Sequence, residues 1–220
     1  MSESDESLFR EVDEEVRQDQ YKKIWDRYGN LLMAMAFAIV AGVGGVKGWQ
    51  YYQQKQAESA AVVYADAVKK AADGKYDDAA SALAAINHGG FAQLAELRKA
   101  GGLAQQGKRD EAVAAYDAFA ANGAHDPAFI DMARIRAGYL LTDTLKPDEL
   151  LTRLGPYDKD DQVWRHAARE IFGLSAWRTA DYAMADRYMT ALYNDPATPP
   201  AMRQRAQMMM QLLTPLLPKK

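Results

Sequence analysis

The side chains of this chain that could do chemistry are three histidines, a serine in an elbow-like setting and several acidic pairs. Their spacing limits what is open to them. His88, His125 and His166 stand far apart in sequence. His166 and Glu170 are four residues apart, which puts both on one helix face and would offer a metal two ligands. HExxH is absent and no third ligand is indicated, so they are expected to form a surface pair. Ser175 in GLSAW has half the spacing of a nucleophile elbow, but an elbow needs a strand-to-helix turn and the residues around it follow a helical period. Gly42, Gly44 and Gly45 lie in an apolar run and Gly101-Gly102 in a helical pattern, so neither group cradles phosphate. Asp77-Asp78, Asp110-Glu111 and Asp160-Asp161 are expected at helix starts, where carboxylates complement the helix dipole. With no cysteine, disulfides and thiol chemistry are excluded. No catalytic, cofactor, metal or small-molecule site assembles, and a non-enzymatic function is expected.

The elements that would position any site divide around Tyr28 to Val46, about nineteen residues without a charge. As a helix at about 1.5 Å per residue this run matches the roughly 30 Å hydrocarbon core of a bilayer. Trp25 and Tyr28 stand at one end and Trp49, Tyr51 and Tyr52 at the other, where aromatic rings favour the wet border of a membrane, and Lys47 can snorkel outward. A soluble core helix would have no reason for two such belts. A cleaved leader would not be preceded by about 27 residues bearing nine acidic side chains. The expected organisation is a leader over 1–27, a transmembrane helix over 28–47 and a globular part over 48–220. Within the span, Ala34, Ala38 and Gly42 repeat every four residues, with Gly44 and Gly48 at its outer edge. They form a candidate contact stripe for another apolar helix, a membrane partner or a second copy.

Charge sets the orientation. Arg10, Arg17, Lys22, Lys23 and Arg27 precede the span, and Lys47 and Lys55 follow it over a similar distance. The leader should therefore face the cytoplasm and the large part the far side, which is the periplasm if the source is a Gram-negative bacterium. The opening MSESDES reads as disordered. From Leu8, Val12 and Val16 to Tyr21, Ile24 and Trp25 an amphipathic helix is expected to run into the span. Residues 48–220 carry 21 basic and 21 acidic side chains, a balance that argues against nucleic-acid binding. From Trp49 to Asp73 there is no glycine or proline, so the crossing helix should continue into the globular part and keep it close to the membrane.

That part repeats. A small residue stands seven before a turn position, and further packing residues stand five, nine and twelve after it, in four copies. These are Ala67, Gly74, Ala79, Leu83 and Ile86; Ala100, Gly107, Ala112, Tyr116 and Phe119; Gly138, Leu145, Leu150, Leu154 and Tyr157; and Gly173, Ala180, Ala185, Met189 and Leu192. Spacings of four and seven mark one face of a helix, and the small residue lets the preceding helix close against it. Such a hairpin cannot bury its apolar face alone, so copies stack. In the third copy Leu145 replaces the turn glycine, Leu150 replaces the small alanine, Pro147 suits a helix start and Gly155-Pro156 shortens the second helix. These departures predict a loosely packed or bent pair. In the fourth copy Ala180 replaces glycine and Tyr182 keeps the aromatic place. After DPATPP, Ala201 to Leu213 reads as a closing helix, whose Met202, Met208, Met209 and Met210 are expected to cap the last hairpin, with a soft binding surface as the alternative. Tyr139, Trp164, Trp177 and Tyr193 are candidates either to pack between repeats or to line a groove.

GKYDDAA and GKRDEAV, with Tyr76 two residues past its glycine, resemble the tetratricopeptide repeat over about residues 57–194. The resemblance implies an all-α fold, and with the charge-free run ahead of it the chain reads as one N-terminal transmembrane helix followed by a solenoid of about four hairpins and a capping helix. The whole layout is similar to the ancillary subunits of the bacterial Sec translocon (YfgM-like), single-pass proteins of the inner membrane. That likeness implies the SecYEG channel, periplasmic chaperones or exported clients as partners, and a scaffold or chaperone-like role. The alternative is an assembly factor for a cell-envelope or respiratory complex.

Overall fold

The structure, a computed structural model, describes residues 3–218, and the side chains of 3–21, 23 and 24 lie outside the description. The side chains of the Leu8, Val12, Val16, Tyr21 and Ile24 stripe therefore lie outside the description. The described residues form nine α-helices and no strand. They are α1 (Glu3–Ala72), α2 (Tyr76–Ala84), α3 (Gly89–Gln105), α4 (Arg109–Ala121), α5 (Pro127–Leu141), α6 (Pro147–Leu154), α7 (Arg165–Arg178), α8 (Tyr182–Asn194) and α9 (Pro200–Leu213). Helix α1 begins at Glu3, so residues 3–7 of the opening are helical rather than disordered. The chain divides into two compact units, Met1–Gln56 and Ala57–Lys220.

In the first unit α1 carries large apolar side chains with no cover: Phe37 is 78% exposed and Val40 69%. Among the described residues one helix is long and apolar enough to cross a membrane, and its apolar stretch is almost wholly exposed. Gly42 is equally open, because a Cβ added there would meet nothing within 4 Å.

In the second unit the helices pair as hairpins, and each hairpin packs on the first helix of the next. Four clusters follow one another along the stack. Ala60, Ala67, Leu83 and Ile86 meet Ala95 of α3. Leu97, Ala100, Tyr116 and Phe119 meet Ala133 and Ala137 of α5. Ile135, Leu150, Leu154 and Tyr157 meet Ala168, Ile171 and Phe172 of α7. Ala176, Ala185, Met189 and Leu192 meet Ala206 and Leu213 of α9, with Met202, Met209 and Met210 against them and Met208 half exposed. Helix α9 starts at Pro200, one residue before the expected Ala201, since proline fits the first turn, where no amide hydrogen is needed.

Three of the four turns share one hydrogen-bond pattern. Gly74 and Gly107 have φ of 77° and 75°, and Ala180 has φ of 61°. In each, the next amide reaches back to the third-last helical carbonyl: Lys75 to Lys70, Lys108 to Leu103 and Asp181 to Ala176, at 2.9–3.0 Å. This is the Schellman closure, which satisfies carbonyls that the helix leaves open. Alanine holds the left-handed conformation at a steric cost of about 1 kcal/mol or more that glycine avoids. Ala180→Gly is accordingly expected to stabilise the repeat unit by about 1 kcal/mol, raising its urea midpoint at unchanged slope. A lower midpoint would contradict this account of the turn.

The third hairpin corrects the expectation of loose packing. Leu150 and Leu154 are fully buried in the cluster that also holds Ile171 and Phe172. Helix α6 does end at Leu154 and tightens into a 3-10 turn, Gly155–Asp158, yet that turn delivers Tyr157 to the same core. The reason is exchange of volume. Gly138 on α5 has no Cβ, and the place a Cβ would take is filled by the Leu154 side chain, with Ile171 Cδ1 3.1 Å away. The turn itself is closed from outside the hairpin. Leu145 O accepts from Ser175 Oγ at 2.8 Å and Arg178 Nη2 at 2.6 Å, and Thr142 O accepts from Arg178 Nε at 3.0 Å. Ser175 is thus a buried helical residue holding a neighbouring turn.

Candidate binding surface

The four small first-helix positions, Ala67, Ala100, Gly138 and Gly173, are all buried. So are Ala79, Ala112, Leu150 and Ala185 on the second helices, and Leu83, Tyr116, Leu154 and Met189 one turn further on. They build the stack, and Ala79 and Leu83 also wall a cleft between α2 and α3. Ala34, Ala38 and Gly42 are exposed along α1. What remains open to a partner in the repeat unit is this cleft and the outer face of each helix layer.

On the first-helix layer one polar row joins the third and fourth hairpins to the closing helix α9. Glu170 of α7 is 4% exposed. It accepts from Arg205 Nε of α9 at 2.7 Å, from Arg205 Nη2 at 3.0 Å and from Tyr139 Oη of α5 at 2.7 Å. A buried carboxylate with three charge-assisted or short bonds satisfies its oxygens and fixes the register of successive hairpins. Burial raises the Tyr139 hydroxyl above its ordinary pKa, and its bond to the Glu170 carboxylate raises it further. The Arg205 guanidinium is raised by its bond to Glu170.

The second polar node sits at the end of α8. Asp195 Oδ2 is 2.8 Å from His166 Nε2 and 3.0 Å from Arg165 Nε, and Oδ1 accepts from the Ala197 amide at 2.8 Å. The amide bond first, then Arg165 and His166, hold the Asp195 carboxyl far below the usual carboxylate range. Arg203 Nη2 donates to the carbonyls of Asp195, Pro196 and Thr198, which ties the proline-rich loop to α9.

These partners correct the surface pairing of His166 with Glu170. Both side chains are buried, and they turn to different neighbours, Asp195 and Arg205. A four-residue spacing puts two side chains on one face of a helix, but which neighbour each meets depends on the packing of α8 and α9. Asp160-Asp161 also departs from expectation. The pair lies in the loop before α7, where Asp160 accepts from Arg169 Nη2 at 2.6 Å and Arg169 Nε donates to Asp158 at 2.9 Å. Asp77-Asp78 and Asp110-Glu111 do occupy first turns. Among the four aromatics, Trp164 packs on the core at the third junction and Trp177 at the fourth, where its ring lies 5.6 Å from that of Tyr182. Tyr139 and Tyr193 remain substantially exposed.

The balanced total charge hides a separation between layers. Helices α3, α5, α7 and α9 carry nine Lys/Arg against three Asp/Glu. Helices α2, α4, α6 and α8 carry three against eight. One layer of the stack is cationic and the other anionic, which composition could not reveal because the two cancel. Opposed charges on separate layers create local potentials that select partners by sign.

Paired helices in register, Schellman turns at a fixed offset and stacked inter-hairpin cores define a helical-hairpin repeat protein. The family model described as Tetratricopeptide repeat-like domain matches residues 22–208, well over half of the chain. The protein belongs to that family. Comparison with curated proteins and with solved structures finds no match. Domains of this kind are typically protein-interaction scaffolds rather than catalysts.

Proposed function

We propose that the protein is a non-enzymatic scaffold anchored in the bacterial inner membrane, an ancillary subunit of the Sec translocon that helps to handle newly exported proteins. The observation that carries this reading is the exposed apolar helix in a chain whose other unit is a tetratricopeptide stack. The leader faces the cytoplasm and the stack the periplasm, on the count of basic residues flanking the span. Confinement to the bilayer raises the effective concentration of a membrane partner, so weak contacts become useful. Periplasmic chaperones or exported clients would meet the outer layers of the stack, and Ala34, Ala38 and Gly42 would give the span its close contact with a neighbouring helix.

Mild crosslinking of intact membranes, followed by purification of the tagged full chain, tests the reading. SecYEG subunits should be recovered. Their absence beside one enriched envelope or respiratory complex would replace this assignment with an assembly factor. Gly42→Leu in the same experiment is expected to reduce recovery several-fold while leaving the melting midpoint unchanged, since a Cβ at that position touches nothing in the chain. Unchanged recovery would remove the stripe from the interface. A C-terminal reporter active only in the cytoplasm would refute the orientation.

A further inference from the structure

We propose that the cleft between α2 and α3 docks an acidic protein segment bearing one aliphatic side chain. The proposal rests on the scaffold reading and names the chemistry of a partner. The cleft has a volume of about 110 Å³, with Ala71, Ala79, Leu83, Gly102 and Leu103 among its walls. Arg98 and Lys99 also line it, and no lining residue is acidic.

Three observations separate this cleft from an ordinary packing gap. The first is register. Gly102 stands two residues past the small residue Ala100, and the matching positions are Leu140 on α5 and Ser175 on α7. Leu140 packs against the core of its junction, and Ser175 donates to a neighbouring turn. At the first junction the place is left open, because a Cβ on Gly102 would meet nothing within 4 Å. The second is local cost. A glycine inside a helix is about 1 kcal/mol worse than alanine, and close packing usually explains its presence. Gly138 and Gly173 have that explanation in Leu154 and Met189, whereas Gly102 has none within the chain. The third is charge. Neither Arg98 nor Lys99 takes an ion-pair or hydrogen-bond partner among the described residues. They belong to the cationic layer, and although α2 on the other wall belongs to the anionic one, neither Asp77 nor Asp78 lines the cleft. An apolar hole with two unpaired cations fits an aliphatic side chain between carboxylates. The hole gives affinity by burial and the cations reject neutral or basic sequences.

The test uses the purified full-length chain in detergent and a fluorescein-labelled twelve-residue peptide whose central leucine is flanked on each side by two aspartates. Fluorescence anisotropy should show saturable binding that weakens as salt rises. Gly102→Leu should fill the hole and weaken binding about tenfold, and Arg98→Glu with Lys99→Glu by at least as much. The same peptide with asparagine for aspartate should also bind about tenfold less tightly. Gly102→Leu should keep or raise the melting midpoint, since leucine is the better helix former and its Cβ meets open space, so lost binding would not reflect lost fold. No saturable binding by the folded wild type, equal binding by Gly102→Leu, or equal binding of the asparagine peptide would each overturn the proposal. Absent peptide binding with the translocon still recovered from membranes removes the cleft alone. Peptide binding without translocon recovery removes the Sec assignment alone.

Discussion

Gly173→Leu is expected to lower the melting midpoint of the repeat unit by about 10 °C, from a loss on the order of 3 kcal/mol. A Cβ on Gly173 would stand 2.5 Å from Met189 Cε and 3.3 Å from Tyr188 Cβ, and both side chains are buried. The Met189 methyl ends a flexible chain and can swing aside for one carbon. Alanine at this position therefore gains about 1 kcal/mol of helix preference against moderate crowding, and Gly173→Ala should come out near neutral. A leucine cannot be absorbed in that way. It would force α8 outward, and with it Tyr188, whose ring packs 5.3 Å from that of Phe172 in the core between the third and fourth hairpins. Thermal unfolding followed by circular dichroism, with the alanine variant as control, measures the difference. If leucine and alanine melted together near the wild-type midpoint, the close crossing of α7 and α8 would be wrong.

The second large effect is expected at Asp195. Removing its carboxylate with Asp195→Ala leaves Arg165, His166 and the Ala197 amide without their shared acceptor. Partly buried groups that lose a charged acceptor cost on the order of 2 to 3 kcal/mol. The pH dependence identifies the cause. Because the folded state holds this carboxyl below its unfolded value of about 3.9, the folded state favours the ionised form. Its contribution is complete above about pH 5 and is lost as pH falls through the folded value. The difference in stability between the wild type and Asp195→Asn should shrink steadily below about pH 4. A difference that stayed the same at about pH 3 would mean that the carboxylate's charge is not what stabilises the loop.

How much of this was legible in the sequence differs from one element to the next. The all-α hairpin stack was legible because each hairpin is local: its small residue, its turn and its apolar face fall within about 20 residues, and helical periodicity exposes them directly. The glycine turns at Gly74 and Gly107 follow from conformational preference, which is a property of the residue itself. The packing of the third hairpin was not legible, for the opposite reason. Its turn is held by Ser175 and Arg178, about 30 residues away, and its core depends on Leu154 entering the space Gly138 leaves. Departures from a local pattern looked like weakness because their compensation lies in the next repeat.

The candidate surface was less legible still. His166 and Glu170 share a helix and a spacing, yet one serves the end of α8 and the other joins α5 to α9. The opposite charges of the two helix layers vanish in a total that balances, and they emerge only when residues are sorted by layer. The cleft beside Gly102 was invisible for a similar reason. A glycine in a helical pattern announces only a local cost, and whether a neighbour fills the space beside it is decided by packing.

By itself, then, the sequence determined what short-range chemistry controls: helices, turns, the repeat period, and a charge-free run long enough for a bilayer. Tertiary structure alone decided which carboxylate meets which cation, which glycines are packed and which are open, and where charge accumulates. The division follows from range. Backbone preference and periodicity act over a few residues, whereas partners such as Glu170 and Arg205, separated by 35 positions, are set by how whole helices stack.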